Sequence, residues 1–451
     1  MIGIVALSLF IIALVWGYYH DTKERPTVSP WTWVVVLWIL VHGSRPLSVW
    51  FGIEIRTTRD EGNVVEAWAN LILICFALLV LFRRNVKWSV VLKKNKWLVV
   101  FYLFWCASIF WSDYPLITSK RLFKDLGNLA MVMIVLSEAE PSEALRAVCV
   151  RVAYLCIPLS IILIKYYPQL GRSYVGYQSN ISMHIGMANH KNTLGFLVFM
   201  SVLFLIWDLL EVWGRRMQPG GMSRVVLRLL VICMCWYLLM TINSVTSLVC
   251  SVFGCVVFIV LRYPYLRTRP VRWEVAGLVI AVVVYAADVT FDIQETIFKS
   301  LGRNKDFTSR TEIWSVVQEE QVNPFLGMGF DTFWAGDRLE ILAEKIGDSG
   351  VIQAHNGYLE TYLNGGLVGL VLLFIVVISA YVQLRKKVVL FGFAEDHLKV
   401  TILLMTLVYN FTEASFNKLS PLWFLTCVAI MEYRSKASPS RGSVASSHRR
   451  L

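Results

Sequence analysis

His355-Asn356-Gly357-Tyr358-Leu359-Glu360-Thr361-Tyr362-Leu363-Asn364-Gly365-Gly366-Leu367-Val368-Gly369-Leu370 opens as polar chain and ends inside an apolar run that continues to Tyr381. That change of character reads as a water-exposed segment feeding a membrane-spanning helix. Upstream, residues 288–366 form the one long hydrophilic stretch, with thirteen carboxylates against six basic residues. Apolar runs of span length surround it on both sides.

The 451 residues are 57% hydrophobic and 16% charged, with mean hydropathy +0.59. This excludes an ordinary soluble domain and points to a polytopic membrane protein. Strong spans are expected near Ile2–Tyr18, Val64–Phe82, Trp97–Trp111, Ala147–Tyr166, Thr193–Trp213, Val225–Thr241, Val245–Leu261, Val275–Ala287 and Leu367–Tyr381. Weaker ones fall near Trp31–Val41, Leu122–Leu136, Leu398–Tyr409 and Pro421–Met431. The expected fold is therefore an all-α transmembrane bundle of about 12 to 14 spans with one long external loop. Residues 1–287 supply helices with short loops, 288–366 the loop, 367–433 the C-terminal helices, and 434–451 a disordered Ser- and Arg-rich cytoplasmic tail. The run Ile2–Tyr18 lacks a basic leader and a small-residue cleavage site, so it is expected to remain as the first helix.

A net charge of +12 raises the possibility of nucleic acid, but its distribution argues against such a partner. Basic clusters at 83–96, 215–228, 262–272, 385–387 and 434–450 all fall on one side of the bundle when the spans are counted in order. This is the positive-inside pattern, which makes those faces cytoplasmic and the acidic 288–366 loop external. All nine cysteines lie in expected spans, so no disulfide framework is predicted. No metal-binding cluster is visible either.

The chemistry-bearing residues gather in the external segments. Between Tyr167 and Asn192, Gly171-Arg172-Ser173-Tyr174-Val175-Gly176-Tyr177 and Gly186-Met187-Ala188-Asn189-His190-Lys191-Asn192 combine cations, aromatics and glycines. An Arg holds phosphate through paired hydrogen bonds, and glycines admit a bulky ligand to the backbone. Tyr174 and Tyr177 offer ring faces to a sugar. The alternative is a tight turn, with Asn189 or, preferably, Asn192 capping the next helix. Lys120, Arg121 and Lys124 stand outside against the charge rule, either as headgroup anchors or as contacts to an anionic lipid-linked substrate.

Within the long loop, Ser309 and Glu312 have capping-box spacing, so a helix is expected from Arg310 to about Val322, ended by Asn323-Pro324. A cation in its first turn opposes the helix dipole, which suits Arg310 better to an external anion. His355 at the membrane boundary is either a structural cap or a neutral proton acceptor. Glu413, in the last external turn, is placed to face the same cavity.

The block His355–Glu360 with Gly365–Leu370 resembles the O-antigen ligase and polymerase superfamily of bacterial envelopes. Upstream, Arg172 with Gly176, Asn189–Gly195, Ser309–Trp314 and Pro324–Phe330 follow in the matching order. Asp331-Thr332-Phe333-Trp334 looks most like the exopolysaccharide polymerase branch. The resemblance covers about Gly171 to Leu370 and implies a metal-independent, cofactor-free glycosyltransferase of the inner membrane, with its active site facing the periplasm. It implies an undecaprenyl-diphosphate-linked glycan donor, a glycan or lipid acceptor, and polysaccharide export or flippase proteins as further partners. His355 would be the general base, and Arg172 and Arg310 would hold the diphosphate. Asn189, His190, Tyr177 and Glu360 complete the expected substrate-binding set. The hairpin Asn243-Ser244-Val245-Thr246-Ser247 lacks the Arg that many members carry there, which shifts more of the phosphate contact to Arg310.

Three functions fit to different degrees: a polymerase of lipid-linked repeat units, a ligase transferring finished glycan to lipid A core, and a transporter or flippase without covalent chemistry. Transport predicts charges near mid-span or paired broken helices. Lys165 and Asp208 instead lie towards span ends, which favours an enzyme.

Overall fold

The computed structural model describes residues 2–53, 63–174, 182–214, 216–218, 220–277, 307–347 and 350–433. It is an all-α bundle. Among the described residues, seven helices are long and apolar enough to cross a membrane: Ile2–Glu24, Val64–Arg83, Pro141–Tyr166, Lys191–Trp213, Gly221–Ile242, Val245–Arg262 and Gly357–Leu390. Three shorter apolar helices, Thr32–Gly43, Lys96–Phe110 and Pro421–Ile430, pack among them. The helices Pro115–Leu136 and Ala394–Tyr409 also belong to the bundle. The protein is thus a multi-pass membrane protein. The span expected at Val275–Ala287 lies almost wholly outside the described residues, as do the first part of the long loop and the tail from residue 434.

Burial sorts the helices. Pro141–Tyr166 and Lys191–Trp213 are buried over most of their length and form the centre, whereas Ile2–Glu24 keeps Ile4, Leu9, Ile12 and Val15 outward. Apolar side chains on that outer face suit hydrocarbon, and helices satisfy their own backbone there. Between Tyr167 and Asn192 the chain adds a feature not expected from sequence. Arg172–Tyr174 pairs antiparallel with Ser182–His184, Arg172 opposite His184.

Part of the long loop has a core of its own. Ile313, Val317, Phe333, Trp334, Leu342, Val351, Ala354 and Leu363 bury one another under the helices Phe307–Glu319 and Asp337–Ile346. The loop is seated on the bundle through a broken helix. Gly366, at φ +61°, kinks Gly357–Leu390, and the turn from Pro324 to Gly329 lies across the break. There Met328 N donates to Leu363 O (3.1 Å), Gly329 N to Asn364 O (2.8 Å) and Leu367 N to Pro324 O (2.8 Å). A Cβ at Gly327 would stand 2.3 Å from the Asn364 backbone, and one at Gly366 2.3 Å from that of Phe325, so two backbones touch where only glycine permits it. Arg121 reinforces the seat by donating to the Asp331 carbonyl.

Candidate active site

His355 enters the site at φ +49°, a left-handed conformation unusual for a side-chain-bearing residue. Its position is set from both sides. Asn356 caps the following helix by accepting from Tyr358 N and Leu359 N. Gly357 N donates to the carbonyls of Asn410 (2.8 Å) and Glu413 (2.9 Å), binding the helix start to the turn that follows Tyr409. A Cβ on Gly357 would collide with the Asn410 side chain. Asn410, fully buried, in turn shapes that turn by accepting from Ser415 N and Phe416 N.

This docking brings Glu413 to the centre. His355 Nδ1 lies 3.2 Å from Glu413 Oε2, while Arg310 donates through Nη2 to Oε1 at 2.9 Å and Asn192 Nδ2 donates to the same oxygen at 2.6 Å. The carboxylate is 4% exposed, but the His355 and Arg310 side chains keep 24% and 20% of their surface. A buried carboxylate thus holds an imidazole and a guanidinium that both still reach solvent. With Nδ1–H directed at the carboxylate, Nε2 is left as the proton-accepting nitrogen, the arrangement by which a carboxylate fixes an imidazole tautomer.

His190 and Asn192 exchange the roles expected of them. His190 Nδ1 accepts from Asn192 N at 3.3 Å and caps the helix Lys191–Trp213, which frees the Asn192 amide for Glu413. His190 is exposed at the surface, and partial desolvation by its surroundings, with Lys191 and His355 adding to it and Glu413 opposing, shifts its imidazole downward from the ordinary value. Asn189 is exposed in the turn just before it. The hairpin 243–247 also reaches the site, Thr246 Oγ1 lying 3.0 Å from Thr412 Oγ1 beside Glu413.

The remaining expected residues are placed differently. Arg172 is engaged through Nε with the Ile164 carbonyl (3.1 Å) at the base of the two-stranded ribbon. Tyr177 lies outside the described residues. Glu360 is 3% exposed and turned into the protein. Its Oε2 accepts from Ala354 N (2.9 Å) and Trp334 Nε1 (3.2 Å), and Lys418 Nζ stands 3.1 Å from Oε1. Glu360 therefore fixes the segment leading to His355, together with Trp314, whose Nε1 donates to Ala354 O at 2.7 Å. The expected cap at Ser309 is not where the helix begins: it starts at Phe307 and ends at Glu319, with Arg310 still in its first turn.

Sequence reasoning noticed Glu413 only as a residue facing the cavity, and missed Asn192 as its ligand. Their sequence signal was an acidic residue and an amide in two different external turns, and nothing in the chain order pairs them. Among the described residues no group of three or more His, Cys, Asp or Glu side chains is arranged to hold a metal ion.

Comparison with known proteins adds to this geometry. A family model described as O-antigen ligase matches residues 229–374, which include Arg310, Glu360 and His355 but neither Arg172 nor Glu413. The exopolysaccharide production protein ExoQ of Rhizobium meliloti (strain 1021) is 23% identical over 303 residues, 64% of this chain and 65% of that protein. The alignment thus spans a little under two thirds of the relative's length. The chain is thus similar over part of its length to O-antigen ligase-type and exopolysaccharide production proteins, and its helical membrane architecture agrees with that likeness.

Proposed function

We propose that this protein is a glycosyltransferase of the bacterial inner membrane that joins oligosaccharide units carried on undecaprenyl diphosphate into an exopolysaccharide or O-antigen chain, with the site open to the periplasm. The observation that carries the reading is one buried carboxylate, Glu413, shared by His355 and Arg310. An acceptor hydroxyl loses its proton to His355 Nε2 as its oxygen attacks the anomeric carbon. The bond from that carbon to the diphosphate oxygen breaks, and the electron pair leaves with the diphosphate. Direct displacement inverts the anomeric centre. Arg310 meets the charge that develops on the leaving group, and Arg172, anchored through Nε to the Ile164 carbonyl, is the second cation assigned to it. Diphosphate is already a good leaving group, so positioning and charge stabilisation suffice, and no metal or cofactor is required by this scheme.

Export or flippase proteins are the partners such a reaction needs on either side of it. The name of the relative favours exopolysaccharide polymerisation. The description of the matching family favours the second reading, transfer of a finished glycan to lipid A core or another acceptor. The test is the size and attachment of surface polysaccharide in a deletion strain complemented with wild type, His355→Ala or Arg310→Ala, with membrane levels checked for each. Polymerisation predicts single repeat units on the lipid carrier in the deletion strain and in both variants, with His355→Ala lowering chain synthesis by about 10²- to 10⁴-fold. Long chains that have lost their acceptor would establish the ligase. Full rescue by both variants would overturn the site and return transport without chemistry to consideration.

A further inference from the structure

Beside the His355 centre, a narrow cleft opens between Trp105, Phe330, Asp331, Glu360, Asn417 and Lys418. Its volume is about 10 Å³, room for one water-sized group. Trp105 Nε1 and Glu360 Oε1 are buried there without a hydrogen bond among the described residues, and Asn417 stands out because both ends of its amide are. It is 8% exposed, and both Oδ1 and Nδ2 of its amide are buried without a hydrogen-bond partner among the described residues. Burying both ends of an amide unpaired is unfavourable, and such groups are rare unless something fills the gap. We propose that this cleft binds one hydroxyl group of the saccharide acceptor, gripped by the Asn417 amide, a subsite that rests on the glycosyl-transfer reading above.

The chemistry of the walls selects the ligand. The amide offers both a donor and an acceptor, and Asp331 offers acceptors alone. A hydroxyl both donates and accepts, so it satisfies the pair. A carboxylate has no proton to give, and an ammonium cannot accept. Lys418 does not turn the cleft into an anion site, because its Nζ is held 3.1 Å from Glu360 Oε1 and 3.3 Å from Gln353 Oε1. Trp105 and Phe330 supply an apolar wall of the kind that sugar C–H faces meet.

The cleft is also in the right place. Gln353, whose Oε1 accepts from Lys418, places its Nε2 3.4 Å from His355 Nδ1, a packing contact because Nδ1–H serves Glu413, so the cleft lies two side chains from the base. A hydroxyl held there belongs to the partner that His355 deprotonates. The diphosphate end of the donor goes to the guanidinium of Arg310.

The experiment is calorimetric titration of the full-length protein in lipid nanodiscs with the oligosaccharide repeat unit released by mild acid from the host's own lipid carrier. Asn417→Ala is expected to weaken binding by about tenfold with an unchanged melting temperature. Asn417→Asp, which keeps acceptors and loses donors, should lie between it and wild type. If Asn417→Ala does not fold, Asn417→Asp and Asn417→Ser carry the same comparison. Binding by the variants within about twofold of wild type, or no binding by wild type, overturns the proposal and leaves the cleft holding a structural water only. Chain synthesis by His355→Ala is scored separately. Its persistence would overturn the glycosyl-transfer reading while the titration still reports on the cleft.

Discussion

Two carboxylates at opposite ends of the helix Lys191–Trp213 are each joined to arginines, and they do opposite things. At one end Asn192 contacts Glu413. At the other, about 24 Å away at the α-helical rise, lies Asp208. Asp208 accepts from Arg25 (2.7 Å) and Arg228 (2.9 Å). Arg25 also pairs with Asp21, Asp21 with Arg151 (2.7 Å), and Arg228 with Glu24 (2.9 Å). The Arg25, Arg151, Arg228, Asp21 and Asp208 side chains are all at most 4% exposed. This group ties together the helices beginning at Ile2, Pro141, Lys191 and Gly221. The Glu413 group is built from the same chemistry but is open, its Arg and His retaining about a fifth of their surface. A closed network spends its charges on holding helices together, whereas an open one keeps charge available to a ligand.

The largest expected effect tests the closed end. Asp208→Ala strands Arg25 and Arg228 in a buried setting and should cost about 3–5 kcal/mol. Reduced accumulation in the membrane and a lowered melting point would be the readouts, with any loss of polysaccharide tracking the loss of protein. A variant that accumulates normally would show that the network contributes little to stability. Glu413→Gln should behave in the reverse way. It keeps the shape of the side chain but not the charge that orients His355 and pairs Arg310, so protein levels stay near wild type while chain synthesis falls about 10²-fold. Equal losses of protein and product would make Glu413 another structural carboxylate and erase the contrast. The smallest effect belongs to the hinge that seats the loop. Gly366→Ala forces a side chain into φ +61° against the Phe325 backbone and should destabilise by about 1–3 kcal/mol. Thermal unfolding with limited proteolysis of the 307–347 segment would detect it, and an unchanged melt would mean that the contact yields.

A third buried carboxylate qualifies the argument made from span charges. Asp125, on Pro115–Leu136, is 2% exposed and accepts from Tyr102 Oη at 2.7 Å, with Trp423 Nε1 reaching the same hydroxyl at 3.2 Å. The sequence reading weighed only Lys165 and Asp208 as span charges and passed over Asp125, although it falls inside the expected span Leu122–Leu136. Its partners come from two other helices.

The apolar runs that make the helices were legible residue by residue, because each span satisfies its own backbone and must be apolar wherever lipid touches it. His355 and Arg310 were also legible, since each stands at a helix start where its residue type has a local meaning. What the chain alone determined is therefore a helical membrane protein with a long acidic hydrophilic segment that carries a histidine and an arginine near helix starts. Only the tertiary structure decided that Glu413 joins them, that Asn192 serves Glu413 while His190 caps, that Glu360 turns inward, and that Asn417 lines a cleft. The contacts that gather on Glu413 join residues 58 to 221 positions apart. Such contacts are created by helix packing and by a glycine-permitted backbone crossing, and no local pattern of residues encodes them.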